Sequence, residues 1–344
     1  MPVSNAPPWQ SRQRVSTAGI RVRSDTADPE DITIIEKWRE AHRHVINSFQ
    51  AILRQRTRGT DIIVAQRHKR RTTIFDKLHR YPNMQLGRMD DVAGCRLIFP
   101  NVDELIAFRD EFIATAKFDH RLKNDQEKYD YITKPKNSGY RGIHDIYEYN
   151  VRSKFGKERK GLLIELQYRT TVQHAWATCV ETIGFLTDNQ PKFDQGDNSI
   201  KDVLRCSSEM IARAHEQRKS CLPDISNKEL IVKFEELDKK QHFLTMLDSF
   251  NKMKEPAFGK KKNYILMFNK RNSIEDALEI FQFKSATDAL EKLFAIEKSE
   301  EKPDVVLVKA DDPRSMRESF KNYFTDSREF VNLIRQSRDI LLSN

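Results

Sequence analysis

Cysteine is scarce in this sequence, and none of it stands in a metal-binding or redox spacing. Cys95, Cys179, Cys206 and Cys221 lie far apart, with no C-x-x-C pair and no histidine pair at ligand spacing beside them. That pattern excludes a disulfide framework and a zinc site and predicts four thiols in a reducing compartment. Long hydrophobic runs are absent too: nothing approaches the roughly 20 apolar residues that span a bilayer. The first residues, "MPVSNAPPWQSRQR", lack the apolar centre of a secretion signal. No internal repeat is visible. These absences argue against a membrane protein and a secreted scaffold, and predict a cytoplasmic protein.

What is present is charge. The 344 residues suffice for two domains, and 32% of them are charged, with a net charge of +9. Excess Lys and Arg suit phosphate-bearing partners, because binding them releases counterions. A basic solvated surface explains the same number.

Four regions follow from periodicity and punctuation. Residues 1–29, rich in Pro, Ser and Arg, read as a flexible basic tail carrying Arg12, Arg14, Arg21 and Arg23. Residues 30–195 read as a mixed α+β domain. A helix carries Ile35, Trp38, His42, Val45, Phe49 and Ile52, and "DIIVAQR" is a short strand. Thr72 or Thr73 can cap the next helix, which stops near Pro82. "VAGCRLIF" is a buried strand closed by Pro100, and Asn101 can cap the helix after it. "GIHDIYEYNV" and "GLLIELQYR" form an antiparallel ribbon around the basic loop "RSKFGKERKG", and a helix with Val172, Trp176 and Ile183 on one face follows. Residues 196–258 read as connecting helices, one opened by the capping box Ser226–Glu229 and running through Phe234, Leu237 and Phe243. Residues 259–344 alternate strand and helix and read as a small α/β domain.

Several places carry chemistry-bearing residues. In "LLIELQYR" the side chains of Glu165, Gln167 and Arg169 share one face, either solvent-exposed or lining a polar cleft. Asp91 precedes a strand. Paired with a second carboxylate it can hold Mg²⁺, or it is an ordinary turn acid like Asp90 beside it. Arg67, Lys69, Arg70, Arg71 and Lys77 cluster where a helix starts, an arrangement suited to a polyphosphate and also to a solvated surface. "YDYITKPKNSGYRGIH" supplies Tyr131, Lys134, Lys136, Tyr140, Arg141 and His144 around Gly139, a ring on which a base can stack beside cations for its phosphates. It is otherwise a loop with surface tyrosines.

In order, "RHKRRTTIFDKLHR", "DDVAGCRLIF", "DYITKPKNSGYRGIH" and "ELQYRTTVQHAWA" resemble the RelA/SpoT-type alarmone synthetase domain over roughly residues 35–190. The resemblance implies a nucleotidyltransferase-like mixed β-sheet flanked by helices, and transfer of the β,γ-pyrophosphate of ATP to a ribose 3′-hydroxyl with Mg²⁺. It implies that Arg67 and Arg96 sandwich the adenine and that Lys69 and Lys77 meet the phosphates. Asp91 and Glu165 would hold the metal, with Glu165 also the base. Tyr140 would stack on the acceptor base, while His144, Gln167 and His174 complete the shell, with Lys134, Lys136 and Arg141 on the acceptor side. "SGYRGIH" and "ELQYRT" depart slightly from the family's usual wording without losing a charged or stacking residue. The hydrolase domain of long members, with its His-Asp motif, is not expected.

"KPDVVLVKADDPRSMRESFKNYFTDSREFVNLI" is similar to the end of the CapRel group, fused toxin–antitoxin proteins of phage defence. The group's Tyr-x-x-Tyr inhibitory element reads Phe320-Lys-Asn-Tyr323 here, without the first hydroxyl; the same residues also suit an amphipathic helix. The resemblance implies an autoinhibited enzyme that modifies the 3′-CCA end of tRNA, halts translation, and is released by a phage protein. The basic loop with Arg152, Lys154, Lys157, Arg159 and Lys160 can track an RNA backbone or be a solvated hairpin tip. The alternatives are an alarmone synthetase using GDP, GTP or adenosine nucleotides, and a catalytically inactive RNA-binding or sensor module, against which the intact Asp91 and Glu165 argue.

Overall fold

In the computed structural model, residues 8–69, 71–115, 119–151, 154–186, 198–252, 263–268, 278–283, 304–309 and 313–343 are described, with a few single positions between 285 and 296. They fall into two compact units, one of residues 1–133 and 142–171, the other of residues 134–141 and 172–344. Among the described residues no helix is long and apolar enough to cross a membrane.

The first unit is built on a five-stranded mixed sheet. Its strands are β1 (Ile63–His68), β2 (Ala93–Phe99), β3 (Arg121–Leu122), β4 (Ile143–Glu148) and β5 (Leu163–Thr170), in the order β1-β2-β5-β4-β3. Only β2 and β5 run parallel; the other pairs are antiparallel. β5 is therefore central, with both edges paired. One sheet face carries Cys95, Leu97, Phe99, Ile164, Leu166 and Tyr168, packed against α2 (Pro29–Arg56) and α4 (Val102–Ala114) through Val45, Phe49, Leu53, Leu105 and Phe112. Both helices have side-chain caps. Asp28 and Asp31 form a reciprocal capping box on α2, and Asn101 accepts from the Glu104 amide on α4.

A second core joins α1 (Arg12–Arg23), the start of α2, α3 (Arg71–Arg80) and the turn Leu86–Met89. Over residues 11–23 the expected flexible tail is instead a capped helix. Ser11 caps α1, and Val15, Ala18 and Val22 are buried. Their 3–4 spacing is a real apolar stripe, but only one residue wide. Arginine-rich composition hides so narrow a stripe. Thr72 and Thr73 lie inside the first turn of α3, not at its cap.

The second unit gathers α6 (Thr171–Leu186) from Val172 onward with α7 (Asn198–Glu216), α8 (Asn227–Gln241), α9 (Phe243–Lys252) and the last turns of α10 (Pro313–Ser343). Between α4 and α6 lies also the short α5 (Lys154–Lys157), in the first unit. The Ser226–Glu229 capping box opens α8. The helix ends before Phe243, because His242 adopts a left-handed backbone. Phe330, Val331, Ile334 and Leu341 of α10 share one core with Val203, Met210, Phe234 and Phe243. Strands β6 (Asn263–Phe268), β7 (Leu278–Phe283) and β8 (Asp304–Lys309) make a separate antiparallel sheet in the order β7-β6-β8. The three strands are those the alternating pattern predicts. The end of α10, expected to belong with them, packs among the preceding helices.

Candidate active site

The second face of the five-stranded sheet is polar. In-register pairing sets Arg67, Gly94 and Glu165 in one row across β1, β2 and β5, and Arg96, Gln167 and His144 in the next across β2, β5 and β4. Glu165, Gln167 and Arg169 project from a central strand and all are buried, Glu165 only 8% exposed. The exposed reading of this strand face is thus overturned. Alternation alone cannot distinguish an outer strand from an inner one, and strand order decided it.

Glu165 is held on both oxygens. His144 Nδ1 lies 2.8 Å from Oε1, Gln167 Nε2 donates to Oε2 at 2.6 Å, and Arg67 Nη1 is 3.7 Å from Oε2. Burial alone would raise its pKa, but His144, Arg67 and Gln167 outweigh burial and hold it well below the usual carboxylate range. Gly94, in the row between Arg67 and Glu165, has no side chain to separate them.

Asp91 sits at the mouth of β2. Its Oδ2 meets Lys69 and, at 3.0 Å, Lys77 Nζ from α3. Burial pushes the Asp91 carboxyl up, and the two ammonium groups more than reverse it. Lys69 is itself buried, and burial holds its pKa below the ordinary lysine value despite Asp91. Asp90 is pushed up by burial, with Asp91 and Glu165 adding to the effect. Asp91 Oδ1 is buried and has no hydrogen-bond partner among the described residues. A hard cation would satisfy such an oxygen.

Arg67, Lys69, Lys77, Asp91, Arg96, His144, Glu165 and Gln167 therefore lie on one unit, on or beside one sheet face. Tyr131 joins them, its ring edge-on to His144 with centroids 5.6 Å apart. Sequence reasoning placed Tyr131 in the ring-and-cation loop without assigning it to this face. Arg70 lies outside the described residues.

The remaining predicted residues fall in the second unit. Gly139 has φ +92°, and a Cβ there would stand 2.9 Å from Ser208 Cβ and 3.0 Å from the Trp176 ring. Only glycine fits this backbone. Ser208 Oγ donates to its carbonyl at 2.6 Å, so the loop is tied to α7. Tyr140 is half-buried with its ring 6.5 Å from Trp176, and Lys136 Nζ lies 5.3 Å from the ring centroid. Lys134 is exposed, and His174 is half-buried in the first turn of α6. Arg141 is 3% exposed and pairs with Glu216, which also accepts from Gln173 Nε2 at 3.0 Å. Arg141, expected on the acceptor side, is a buried anchor to α7. No short-range signal in the sequence joins residues 141 and 216. Phe320 and Tyr323 lie on α10, but their side chains are outside the described residues.

The profile described as "Region found in RelA / SpoT proteins" matches residues 66–184. Over those residues the chain is similar to RelA/SpoT proteins. It is 28% identical over 157 residues to the GTP pyrophosphokinase YjbM of Bacillus subtilis, covering 45% of this chain and 68% of that protein. An uncharacterized Mycobacterium tuberculosis protein is 25% identical over 190 residues, 55% of this chain and 64% of its own length. Among solved structures, small alarmone synthetase 1 of Bacillus subtilis bound to its product pppGpp has 21% identity and a TM-score of 0.41, with 60% of this chain and 96% of that one covered. The RelA/SpoT domain and the homology to YjbM indicate a pyrophosphotransferase. All eight residues gathered on or beside the polar face fall within the matched stretch.

Proposed function

We propose that the chain moves the β,γ-pyrophosphate of ATP to a ribose 3′-hydroxyl, and that this hydroxyl is the 3′-CCA end of tRNA. The observation that carries the chemistry is the pair of carboxylates, half-buried Asp91 and buried Glu165, set among Arg67, Lys69, Lys77 and Arg96. In this reading the acceptor 3′-oxygen attacks the β-phosphorus. A new O–P bond forms, the bond from the α-phosphate bridging oxygen to the β-phosphorus breaks, and AMP departs. Glu165 takes the hydroxyl proton. Its depressed pKa keeps it ionised at neutral pH, and so weak a base accepts the proton only as bond formation acidifies the hydroxyl. Lys69 and Lys77 neutralise the triphosphate. Arg67 and Arg96 are diagonal neighbours, about 7–8 Å apart at the backbone, which admits one flat base between two guanidinium planes. Mg²⁺ would be held by Asp91 through its orphan oxygen and by Glu165, and would supply charge neutralisation of the phosphates. Tyr140, with Lys134, Lys136 and His174, would receive the acceptor.

The CapRel-like C-terminal segment supports a tRNA acceptor, arrest of translation, inhibition through Tyr323 and release by a phage protein. A second reading, synthesis of a guanosine 3′-pyrophosphate from GDP or GTP, is favoured by the homology to YjbM. Full-length protein incubated with ATP labelled on the γ-phosphate separates them. Label on tRNA supports the first and label on GDP or GTP the second; no transfer to any nucleotide acceptor sinks both and leaves an inactive module. Tyr323→Ala should raise transfer if the C-terminal segment inhibits. Truncation at residue 259 is a poor substitute, since it removes Phe330, Val331, Ile334 and Leu341 from a core.

A further inference from the structure

From Ala41 to Phe75 the chain holds eight Lys or Arg and one acid, Asp61. The catalytic reading uses Arg67 and Lys69 and leaves the others without a role. Arg43, Asn47, Gln50 and Arg54 recur at steps of four, three and four, so they share one stripe of α2. Arg58 lies just past the cap residue Thr57. Arg43, Arg54 and Arg58 are exposed and have no hydrogen bond or ion pair among the described residues. By contrast Arg56, on another side of the helix, donates to Thr115 at 3.0 Å and sits 3.9 Å from Glu111.

The spacers between the arginines are held in place. Gln66 of β1 donates to Asn47 at 3.3 Å and also to Gln50. β1 is an edge strand, so the stripe lies along the open border of the sheet. Glu40 stands at one end of the stripe and Asp61 beyond the other, with no acid between them. The end at Arg43 is the catalytic end. Arg43 is near enough to His68, the last residue of β1, to disfavour its charged form, and Lys69 next in the chain is paired with Asp91. Arg43 to Arg54 spans about 16 Å along the helix axis, long enough for several phosphates of a nucleic-acid strand.

We propose that Arg43, Arg54 and Arg58, spaced by Asn47 and Gln50, bind the phosphate backbone of an RNA strand whose 3′ end enters the polar face of the sheet. The strand's last nucleotides would reach Arg67 and Glu165, and those before them would follow α2. The stripe has no apolar residue to enter a bilayer, and its charge is of one sign, as a polyanion requires. This inference rests on the RNA-acceptor reading for its direction but is tested separately from it.

The test is a triple variant, R43Q/R54Q/R58Q, of the full-length protein. Binding of a fluorescent 3′-CCA-ended RNA and of tRNA is measured by anisotropy across a salt series. Each lost phosphate contact lowers the slope of log K against log salt by about 0.7 for a single strand, so the triple variant should lose about 2 from the slope. RNA affinity at low salt should fall at least about tenfold. Label transfer to RNA should fall through KM, while transfer to GDP and the thermal midpoint stay as in the parent. An unchanged slope, or a parent protein that binds no RNA, overturns the surface. Binding that depends on the stripe without label transfer to RNA keeps the surface and removes the tRNA-acceptor reading. Transfer to tRNA undisturbed in the triple variant does the reverse.

Discussion

The two faces of the five-stranded sheet each bury charge, and they do so in opposite ways. On the packed face Arg109 of α4 donates to both oxygens of Asp145, at 2.9 and 2.7 Å, and to the Gln126 carbonyl at 2.8 Å. One cation meets one anion in a closed, bidentate pair among apolar side chains. On the polar face two carboxylates stand among Arg67, Lys69, Lys77, Arg96 and His144, and one carboxylate oxygen is left over. A pair that balances completes a core. A cluster with surplus cations and an unmet oxygen is complementary to something not in the chain, in the proposed reading a polyphosphate with its metal.

Glu165→Gln draws that contrast most sharply. The amide keeps the size of the side chain and cannot take the proton, so transfer should fall by about 10² to 10⁴. Urea unfolding should still show one cooperative transition. Loss of less than tenfold would remove Glu165 from the proton-accepting role. Asp145→Ala is the converse. It leaves a buried guanidinium unpaired and should cost about 3–5 kcal/mol of folding stability. A loss under about 1 kcal/mol, read from the urea midpoint, would mean the pair is not structural and the two faces are not distinct in kind.

How much of this was legible in the sequence follows from range. Elements with local signals were readable: the Asn101 cap, the Ser226–Glu229 box, β2 ending at Pro100, and the alternation of Glu165, Gln167 and Arg169. Whether that alternation faced water was not, because it depends on β2 and β4 flanking β5, and pairing between strands tens of residues apart leaves no trace in either strand alone. Arg109–Asp145 and Arg141–Glu216 escaped for the same reason. An arginine that will be buried by a distant carboxylate looks like any surface arginine. Asp91 and Asp90 were equivalent by spacing; the structure separates them, since Lys69 and Lys77 both meet Asp91.

Histidines extend the comparison. His144 on the polar face has a carboxylate partner, whereas His42 and His120 are packed among aromatic rings. Burial, reinforced for His42 by His68, brings each of these two down to about 4. Their unfolded values lie near 6.5, so between about pH 6.5 and 4 the unfolded chain binds more protons and stability falls as pH falls. His42 alone should remove about 2 kcal/mol between pH 7 and pH 5, and half-exposed His120 a smaller amount. Asp91 and Glu165, whose pKa values are lowered, add their own loss only below the ordinary carboxylate range. Equal urea midpoints at pH 7 and pH 5 would show that these imidazoles are not buried neutral.

The smallest effect tests how the polar face is held up from behind. Gly19 of α1 packs flush on the turn that leads into Asp90 and Asp91; a Cβ at Gly19 would stand 2.6 Å from Leu86 Cβ. Across the same contact the Gly87 amide donates to Ser16 Oγ at 3.2 Å, and Arg23 Nε donates to the Leu78 carbonyl at the end of α3, the helix that carries Lys77. Gly19→Ala gains helix propensity of about 1 kcal/mol and incurs overpacking of about 1–3 kcal/mol, a net loss near 1 kcal/mol. So small a change leaves nearly all the protein folded. Because the displaced turn adjoins Asp91, kcat should nevertheless fall several-fold, while Ile20→Ala, an exposed position on the same helix, leaves kcat unchanged. If both variants keep full kcat, α1 covers the second core without positioning the carboxylate, and the surplus charge of the polar face is fixed by α3 and β2 alone.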